Sequence, residues 1–316
     1  QKTVKAGIPA VNVWYSSPVV DNVPSVISDV DAIARMAADH LIARGFRNFG
    51  YVGYYQNFSR DIGAVIKARL KDAGYPCSSV FVSDRYNTSS DAWSRCIEKL
   101  ENWVDEWTLP IGIFTSQDEL GRLLTTVCEY RGVAIPHEAA LLGMHNEASL
   151  CQLAEPSLSS VDVGYGQIGF HGAELLHELL QGKSPPDEPI LHPPDFLESR
   201  QSTDAYVVKD PLIAEALRFI SEHSHEPIKV DDVARGVNVT RRTLDRRFAE
   251  QGGRSVAQEL TWFRIQRLTR LLVQTDQPIK YLAHEAGFKD AVQMCTVFRR
   301  IEGLSPTAFR RQHRTE

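Results

Sequence analysis

The sequence contains few cysteines and no long apolar run, and each absence argues against a class of protein. The five cysteines are odd in number, widely spaced and without a CxxC pair, which supports neither a disulfide framework nor a zinc site. No apolar stretch approaches the roughly 20 residues that a membrane-spanning helix needs. The N-terminus also lacks the pattern of a secretory signal peptide. These absences predict a globular protein of the reducing cytoplasm.

A catalytic arrangement is also missing from the first two hundred residues. No serine, histidine and acidic residue form a nucleophile–base–acid set. The segment Gly164–Gly169 matches a dinucleotide-binding glycine pattern in letters only, because it lacks the later acidic partner. His171 and His177 share a predicted helix with Glu174 and Glu178, and solvated side chains on a helix face are favoured there over metal ligands. We expect no enzyme activity, no metal and no cofactor.

Charge is distributed unevenly along the 316 residues, whose net charge is −5. From Asp210 onward 18 lysines and arginines face 14 acidic residues, a surplus of +4, which leaves −9 for residues 1–209. The length exceeds one ordinary core, so two domains are expected. An acidic first part and a basic second part indicate that only the second part meets a polyanion. Chance variation between domains is the alternative.

Residues 1–205 alternate between short apolar runs and amphipathic stretches. The predicted strands are Ile8–Trp14, Phe49–Gly53, Val80–Ser83, Ile111–Thr115, Ala140–Met144 and Ser159–Val163. Between most of them lie predicted helices, near Val30–Ala43, Arg60–Asp72, Ser90–Trp103, Glu119–Arg131 and Gly166–Gln181. This alternation predicts an α/β fold, with a parallel sheet covered on both faces and a ligand site at the carboxyl ends of its strands.

Polar and aromatic side chains follow three of these strands. The segment Tyr54–Arg60 follows the second strand, Ser116–Asp118 follows the fourth, and His145–Asn146 follows the fifth. Aromatic faces, a guanidinium and amide or carboxylate groups suit a sugar, because its ring stacks on an aromatic face while its hydroxyls form bidentate hydrogen bonds. The alternative is that these residues only cap helices and turns, and Asp118 has the character of an N-cap.

Five segments resemble the LacI-type sensor domain, which is itself similar to periplasmic sugar-binding proteins. They are Asp39–Gly53, Arg60–Gly63, Gln117–Gly121, Gly143–Asn146 and Pro156–Val161. The resemblance implies a sugar cleft in which Arg60 clamps the effector. It implies four further ligands, Gln117, Asp118, His145 and Asn146.

His145 departs from the pattern of that family, which has an aspartate at the matching position. A histidine can donate or accept a hydrogen bond, but it is not a fixed acceptor for two sugar hydroxyls. The sequence also departs from that family in the length of its sensor, which consists of two lobes in the family. Most of the first lobe is expected to be missing before Gln1, with only its last strands present, at Ile8–Trp14 and Ser25–Ser28.

The C-terminal part contains two helix-turn-helix patterns in series. Each has a small alanine in its first helix, Ala234 or Ala283, which lets two helices cross closely. Four residues later stands Asn238 or Gly287, and each of these tolerates the positive φ of a tight turn. One such match is weak evidence, but two in series predict a DNA-binding domain with two reading helices, which are the second helices of the two patterns.

A long amphipathic stretch, Arg254–Gln274, joins the two patterns. Twenty or so helical residues span roughly 30 Å, close to the separation of about 34 Å between successive major-groove faces. One chain is therefore predicted to place two reading helices in adjacent turns of one duplex. Before the first pattern, Asp210 and Pro211 begin a helix predicted to end at His223, with Asp210 as N-cap. The boundary is expected near Tyr206, between domains 1–205 and 206–316.

Arginines distinguish the first reading helix from the second. After a Thr240 N-cap, Leu244 and Phe248 mark the buried face of the first helix. Its other face carries Arg241, Arg242 and Arg246, which can enter the major groove and bind guanine edges. A solvated charged face is the alternative, and the helix-turn-helix context favours DNA contact.

The second reading helix is predicted to begin with an Asp290–Gln293 capping box and to bury Met294, Phe298 and Ile301. Its groove face is mostly apolar and suited to thymine methyl groups, which gives it less sequence specificity. The residues of that face are Ala291, Val292, Cys295 and Thr296. Four further arginines are predicted to contact phosphates: Arg299, Arg300, Arg310 and Arg311.

Residues 210–316 resemble the DNA-binding domain of AraC/XylS-type transcription regulators. The resemblance lies in Gly287-Phe288, in Phe298 followed by two arginines, in Gly303–Pro306 and in Phe309-Arg310. It implies base contacts by the three arginines of the first reading helix and the four groove-face residues of the second.

Together the two resemblances imply an α/β sensor followed by an all-α tandem helix-turn-helix domain. The implied function is a cytoplasmic, sugar-responsive transcription regulator of a carbohydrate operon, with a pentose such as xylose as effector. The implied partners are double-stranded operator DNA, a second copy of the chain in a homodimer, and RNA polymerase. The alternatives are an architectural DNA binder with a vestigial sensor, or an enzyme fused to a DNA-binding tail.

Overall fold

The computed structural model describes residues 8–17, 20, 23–83, 90–207, 210–251 and 254–313. The chain divides into two compact units, Gln1–Asp204 and Ala205–Glu316. Strands and helices alternate in the first unit, whereas the second unit is helical in its described residues. The predicted α/β fold followed by an all-α part is confirmed.

A six-stranded sheet forms the centre of the first unit. Its strands are β2 (Asn48–Tyr54), β3 (Cys77–Val82), β4 (Ile111–Thr115), β5 (Ala139–Met144), β6 (Ser159–Asp162) and β8 (Phe196–Glu198). Their order is β3-β2-β4-β5-β6-β8, with all neighbours parallel except the antiparallel pair β6 and β8. Every residue of β4 and β5 is buried, as expected for strands with helices on both faces.

A second, two-stranded parallel sheet pairs β1 (Val26–Ser28) with β7 (Ile190–His192). The helices of the first unit are α1 (Val30–Ala43), α2 (Asn57–Asp72), α3 (Ser90–Asp105), α4 (Asp118–Arg131), α5 (Ala148–Leu153) and α6 (Tyr165–Leu180). Helix α6 packs against β1 through Ile168 and Leu175, which form a small core with Val26. The first unit therefore has a large sheet and a small sheet, and the cavity described below lies between them.

The predicted strand Ile8–Trp14 is wrong. Residues 8–14 contribute a single bridge to the small sheet, between Asn12 and Ser25. The Asn12 side-chain oxygen accepts a 3.0 Å hydrogen bond from the backbone N–H of Trp14. Such local side-chain bonds compete with strand pairing, so the chain turns at Trp14 instead of continuing along the sheet.

Seven helices are described in the second unit: α7 (Pro211–His223), α8 (Val230–Gly236), α9 (Arg241–Gln251), α10 (Val256–Gln274), α11 (Ile279–Glu285), α12 (Ala291–Glu302) and α13 (Pro306–His313). The two cores of this unit share helix α10. Leu260 of α10 packs in the core of α7, α8 and α9, and Leu268 packs in the core of α11, α12 and α13.

Both predicted helix-turn-helix turns are present. Asn238 has φ 56° and Gly287 has φ 77°, and each lies between the two helices of its pattern. The alanines Ala234 and Ala283 are buried, as close helix crossing requires. The second reading helix buries Met294 and Phe298, whereas Ile301 is 46% exposed. The expected burial of Ile301 is wrong, because Ile301 stands in the last turn of α12, beyond the reach of the core.

Candidate effector cavity and DNA-reading surface

A cavity of about 460 Å³ opens at the carboxyl ends of the parallel strands. The strand-end loops after β2, β4 and β5 supply one side of its lining, including Gln117, Asp118 and His145. The small-sheet side supplies Ser28, at the end of β1, and the segment Val13–Ser16. Because the chain reaches this edge after every parallel strand, distant segments meet here.

Aromatic rings form a continuous wall around this cavity. Tyr165 stacks on His145 with ring centroids 5.2 Å apart and on Trp14 with centroids 6.0 Å apart. Phe58 lies near His145, with ring centroids 6.1 Å apart, and meets Tyr15 edge-on at 5.3 Å. Such ring faces can pack against the C–H face of a bound sugar.

Asp118 is buried and both of its carboxylate oxygens accept hydrogen bonds. Oδ1 accepts from Ser160 Oγ at 2.6 Å, and Oδ2 accepts from the backbone N–H of Glu147 at 2.8 Å. Burial raises the pKa of Asp118 to about 6, although these hydrogen bonds and the Arg200 charge oppose the rise. The alternative that Asp118 is an N-cap is wrong: Gln117 holds that position, and the Asp118 side chain binds two other segments.

His145 and Asn146 follow β5 with φ values of 97° and 53°. Left-handed backbone costs roughly 1–2 kcal/mol for a residue with a side chain, so the surrounding contacts must hold it. The backbone N–H of His145 donates to Val161 O at 2.8 Å, and that of Asn146 donates to Ser160 Oγ at 3.0 Å. This conformation turns the His145 ring toward Tyr165 and the cavity.

Burial lowers the pKa of His145 to about 4, despite opposing effects of the Ser116 backbone and the Glu147 charge. The imidazole is therefore neutral at pH 7. Its Nδ1 atom is buried without a hydrogen-bond partner among the described residues. Because this atom is buried, His145 lines the cavity with the remainder of its ring.

The structure brings three of the five predicted sugar ligands together at the cavity, namely Gln117, Asp118 and His145. Arg60 lies in the first turn of α2, is exposed, and is not among the described residues that line the cavity. Asn146 is not among them either: its amide donates to Asp162 Oδ2 at 3.3 Å and accepts from Arg200 at 2.8 Å. Its contacts hold the loop after β5.

Sequence reasoning missed three members of the aromatic wall, one of which is Tyr15, the residue directly after the predicted strand Ile8–Trp14. Trp14 stands in the run that was predicted as a strand, and Tyr165 stands in the glycine segment that was set aside as a false nucleotide motif. Each carried one usable signal, an aromatic residue beside a predicted strand end. Their pairing follows from the packing of the small sheet against the large one, which local patterns do not reveal.

On the first reading helix, α9, Thr240 Oγ1 accepts a 3.2 Å hydrogen bond from the Thr243 N–H, as predicted for an N-cap. Arg241 lies 3.4 Å from Asp231 and 3.4 Å from Asp245, and Arg246 lies 3.8 Å from Glu250. Arg242 is exposed, and no ion pair is found for it among the described residues. Within the described part of the chain, Arg242 therefore differs from Arg241 and Arg246 in having no carboxylate partner.

The predicted groove face of the second reading helix, α12, divides into two pairs. Val292 is 77% exposed and Thr296 is exposed, whereas Ala291 and Cys295 pack against the core of α11, α12 and α13. At the N-terminus of α12, Asp290 accepts a 2.8 Å hydrogen bond from the Gln293 N–H. The Gln293 side chain accepts from the Lys289 N–H, not from that of Asp290, so the predicted capping box is shifted by one residue.

Three arginines of this unit bind backbone carbonyls. Arg264 donates to Ile228 O at 2.6 Å, Arg267 donates to Glu285 O at 2.7 Å, and Arg310 donates to Gln277 O at 2.7 Å and to Leu272 O at 3.1 Å. The prediction of a phosphate contact for Arg310 does not fit this geometry, because its guanidinium fastens the end of α10. Arg299, Arg300 and Arg311 are exposed.

The two histidines considered as metal ligands make contacts along their own helix, α6. His171 Nδ1 lies 3.3 Å from Glu174, and His177 Nε2 lies 2.8 Å from Gln181. The five cysteines are free thiols. Within the part of the chain that the structure describes, every helix falls short of the length and hydropathy that a bilayer crossing requires.

Comparison with known proteins assigns the family. A model of the periplasmic binding protein-like domain matches residues 38–203, which is more than half of the chain. The chain belongs to this family. A helix-turn-helix domain model matches residues 233–312, over both reading helices. The two resemblances drawn from the sequence are confirmed, and their order along the chain is a sensor domain followed by a DNA-binding domain.

Relatives extend this similarity over nearly the whole chain. The xylose operon regulatory protein of Haemophilus influenzae is 29% identical over 310 residues, which cover 96% of this chain and 79% of that protein. The xylose operon regulatory protein of Escherichia coli K12 is 26% identical over 321 residues, with 98% and 80% coverage. These relatives are transcription regulators and not enzymes, so the expectation of a non-enzymatic regulator is confirmed.

The solved structure of the xylose-binding transcription activator xylR covers 100% of this chain and 84% of its own, with a TM-score of 0.59 and 24% identity. The two chains therefore share a fold. Xylose binding is a property of that protein. For this chain, the comparisons give a DNA-binding transcription regulator with a periplasmic-binding-protein-like sensor.

Proposed function

We propose that this chain regulates a carbohydrate operon in response to a pentose, with xylose as the first candidate. The observation that carries the proposal is an aromatic-walled cavity at the strand ends, in the same chain as two helix-turn-helix motifs. Its volume of about 460 Å³ lies within the range of about 300–1,000 Å³ typical of small-ligand sites. The xylose-regulator relatives support the choice of sugar.

In this proposal the ring of the sugar lies against Tyr165 and Trp14. Its hydroxyls meet the side chains of Gln56, Gln117 and His145. Gln117 precedes α4 and its side chain does not cap that helix, so we assign its amide to a hydroxyl of the sugar.

Asp118 and Asn146 act in the proposal mainly by positioning the loop that carries His145. Asp118 does so through its hydrogen bond to the Glu147 N–H, and Asn146 through its contacts to Asp162 and Arg200. Arg60 stands one turn beyond Gln56 on α2, and we assign it to the rim of the site. The resemblance to the sensor family, in which the matching arginine clamps the effector, supports this assignment.

On DNA, we assign base contacts to Arg241, Arg242 and Arg246 of α9. We also assign contacts with thymine methyl groups to the exposed pair Val292 and Thr296 of α12, with Ala291 and Cys295 behind them. Arg299 and Arg300 contact phosphates. The 19 residues of α10 extend roughly 28 Å, close to one helical turn of DNA.

Control by the sugar requires that it bind one state of the regulator more tightly than the other, because equal affinity would shift nothing. We propose that the regulator acts in the cytoplasm as a homodimer on double-stranded operator DNA and that it contacts RNA polymerase. A dimer carries four reading helices, which would recognise a site longer than one chain covers.

The experiment is a sugar titration with two readouts. Calorimetry measures binding of D-xylose, L-arabinose, D-ribose and D-glucose, and fluorescence anisotropy follows binding to DNA selected by the protein from a random library. A pentose should bind and change DNA affinity, and Tyr165→Ala should weaken pentose binding by about tenfold through loss of stacking. Tyr130→Ala is the matched control, because Tyr130 is 76% exposed and outside the cavity.

Arg60→Ala extends the same titration. We expect this variant to lose the sugar response while keeping DNA binding without sugar. A protein that binds DNA and ignores every sugar would contradict the proposed function.

A further inference from the structure

The last residues of the first unit are hydrogen-bonded to the sheet whose strand ends form the cavity. Residues 199–204, which we call the connector, follow β8 and lead directly to Ala205, where the second unit begins. The buried Ser202 Oγ donates to Leu141 O of β5 at 2.6 Å and accepts from the Ser159 N–H of β6 at 2.8 Å. The connector is therefore held on the two strands that end beside the cavity.

Arg200 extends from the connector to the loop that carries His145. Its guanidinium donates to Asn146 Oδ1 at 2.8 Å and to Leu158 O at 2.8 Å, and its backbone N–H donates to Ser159 Oγ at 2.8 Å. A planar guanidinium that binds two fixed acceptors is held in one orientation. Asn146 directly follows His145, which lines the cavity. One hydrogen bond thus joins the connector to the effector loop.

Asn146 also connects this loop to the turn that begins α6. Its amide donates to Asp162 Oδ2 at 3.3 Å, and Asp162 Oδ1 accepts from the Gly164 N–H at 3.0 Å. Gly164 has φ 74° and is the N-cap residue of α6, whose first residue is Tyr165. Tyr165 and His145 are the two rings that stack at 5.2 Å in the cavity wall. Both rings are therefore attached to the connector through Asn146.

We propose that Arg200, Asn146 and Asp162, here called the polar chain, couple the cavity to the DNA-binding unit. A sugar packed against His145 and Tyr165 favours one arrangement of the polar chain, and Arg200 passes that preference to the connector. Coupling between sites is carried by contiguous networks of this kind when they have two discrete arrangements. The proposal rests on the pentose response proposed above and deepens it. Arg200 is a positioning residue, since it is not among the described residues that line the cavity.

The test measures a coupling ratio in the full chain. This ratio is the dissociation constant for the selected DNA without sugar divided by the one at saturating pentose, or its inverse if the sugar weakens DNA binding. The pentose is D-xylose, L-arabinose or D-ribose, whichever binds most tightly. Linkage requires that saturating DNA change the sugar dissociation constant by the same factor, so calorimetry with and without DNA checks each ratio.

Arg200→Gln shortens the side chain and removes its fork. The ratio, typically about 5–150 in allosteric proteins, should fall to about 2 or less. If Arg200 only supported the effector loop, sugar binding would weaken while the ratio at saturation stayed unchanged. Arg47→Gln is the matched control, because Arg47 donates to Phe46 O at 2.8 Å and lies outside the connector and the described cavity lining. Its ratio should equal that of the parent.

An exchange of side chains tests the link between Asn146 and Asp162, and it remains informative if Arg200→Gln does not fold. Asn146→Asp still offers an acceptor to Arg200 but opposes two carboxylates, and Asp162→Asn opposes two amide donors. Each single change should lower the ratio. Together they place a donor opposite an acceptor again, so the double variant should recover to within about twofold of the parent. Circular dichroism identifies the folded variants.

The outcomes separate the two proposals. A parent-like ratio in Arg200→Gln, or an equal fall in the Arg47 control, would overturn the coupling role of Arg200 and leave the pentose response standing. A double variant with a lower ratio than either single variant would overturn the link through Asp162. If no pentose changes DNA binding by the parent, the proposed function fails, and the coupling fails with it.

Discussion

The carboxylate of Asp118 occupies the space that a side chain at Gly143 would need. A Cβ built on Gly143 would overlap with Oδ1 of Asp118. That oxygen also accepts the hydrogen bond from Ser160, and Oδ2 accepts the one from Glu147. One buried carboxyl group thus joins the start of α4, strand β6 and the loop after β5. It also explains why the glycine precedes that loop.

Gly143→Ala should destabilise the first unit. The new methyl group must displace a buried carboxylate that has two hydrogen bonds, and overpacking of this kind costs about 1–3 kcal/mol. Urea denaturation measures the loss in the free energy of unfolding. Gly169→Ala is the control, because nothing lies within 4 Å of a Cβ built at this helical position. That variant should be neutral or up to about 1 kcal/mol more stable, and an equal loss in both variants would contradict the explanation.

Asp118 should make stability fall with rising pH. Burial raises its pKa from 3.8 to about 6, so the folded state holds a proton that the unfolded state has released. Stability from this group is therefore complete below about pH 3.8 and is lost as the pH rises to about 6, with a difference on the order of 3 kcal/mol.

Asp118→Asn removes that titration. Unfolding free energies of the parent and the variant, measured between pH 4 and pH 7.5 in about half-unit steps, should diverge in favour of the variant as the pH increases. Parallel curves would show that Asp118 does not titrate in this range.

Arg310→Ala should destabilise the second helix-turn-helix. The guanidinium donates to Leu272 O and Gln277 O, and losing hydrogen bonds from a charged donor costs about 1.5–3 kcal/mol. Arg311→Ala, at an exposed neighbouring position, should leave stability unchanged and weaken binding to all DNA sequences alike. Thermal denaturation and DNA titration of both variants distinguish these effects. An Arg310 variant that is fully stable and binds DNA weakly would support the prediction that Arg310 contacts a phosphate.

Arg242→Ala should relax base preference more than Arg241→Ala. Arg242 has no ion pair among the described residues, whereas Asp231 and Asp245 hold Arg241. We expect Arg242→Ala to cost about 1–3 kcal/mol on the selected site and little on random DNA. Arg246→Ala should relax base preference in the same way, with a similar cost.

Arg300→Ala serves as the comparison on the second reading helix and should weaken both kinds of DNA to the same extent. Competition titrations against a set of single-base variants of the site measure these differences. Uniform losses in the Arg242 and Arg246 variants would mean that α9 only contacts the backbone of the DNA.

The sequence predicted the elements whose signals are local. Strands β4 and β5 are short apolar runs, and the turns at Asn238 and Gly287 depend on φ preferences of single residues. Helix α7 begins with Asp210 as N-cap and Pro211 in its first turn, and it ends at His223, as predicted. In each case a few neighbouring residues determine the conformation.

The site was predicted less completely, because its contacts join distant segments. Asp118 has the chemistry of an N-cap, yet a stronger set of partners, Ser160 and Glu147, comes from two later segments. Tyr165 and Trp14 meet only when the small sheet packs beside the large one. Arg310 shows the converse case, since a charged residue in a DNA-binding motif is bound by carbonyls of its own unit.

The carbonyl-bound arginines Arg264, Arg267 and Arg310 also change how the basic surplus of the second unit should be counted. A guanidinium fixed to its own backbone cannot displace a cation condensed on a DNA phosphate. The number of counterions that DNA releases on binding is set by the arginines and lysines that remain. The slope of log affinity against log salt, about 0.9 per neutralised phosphate, will therefore be shallower than the basic composition of this unit suggests.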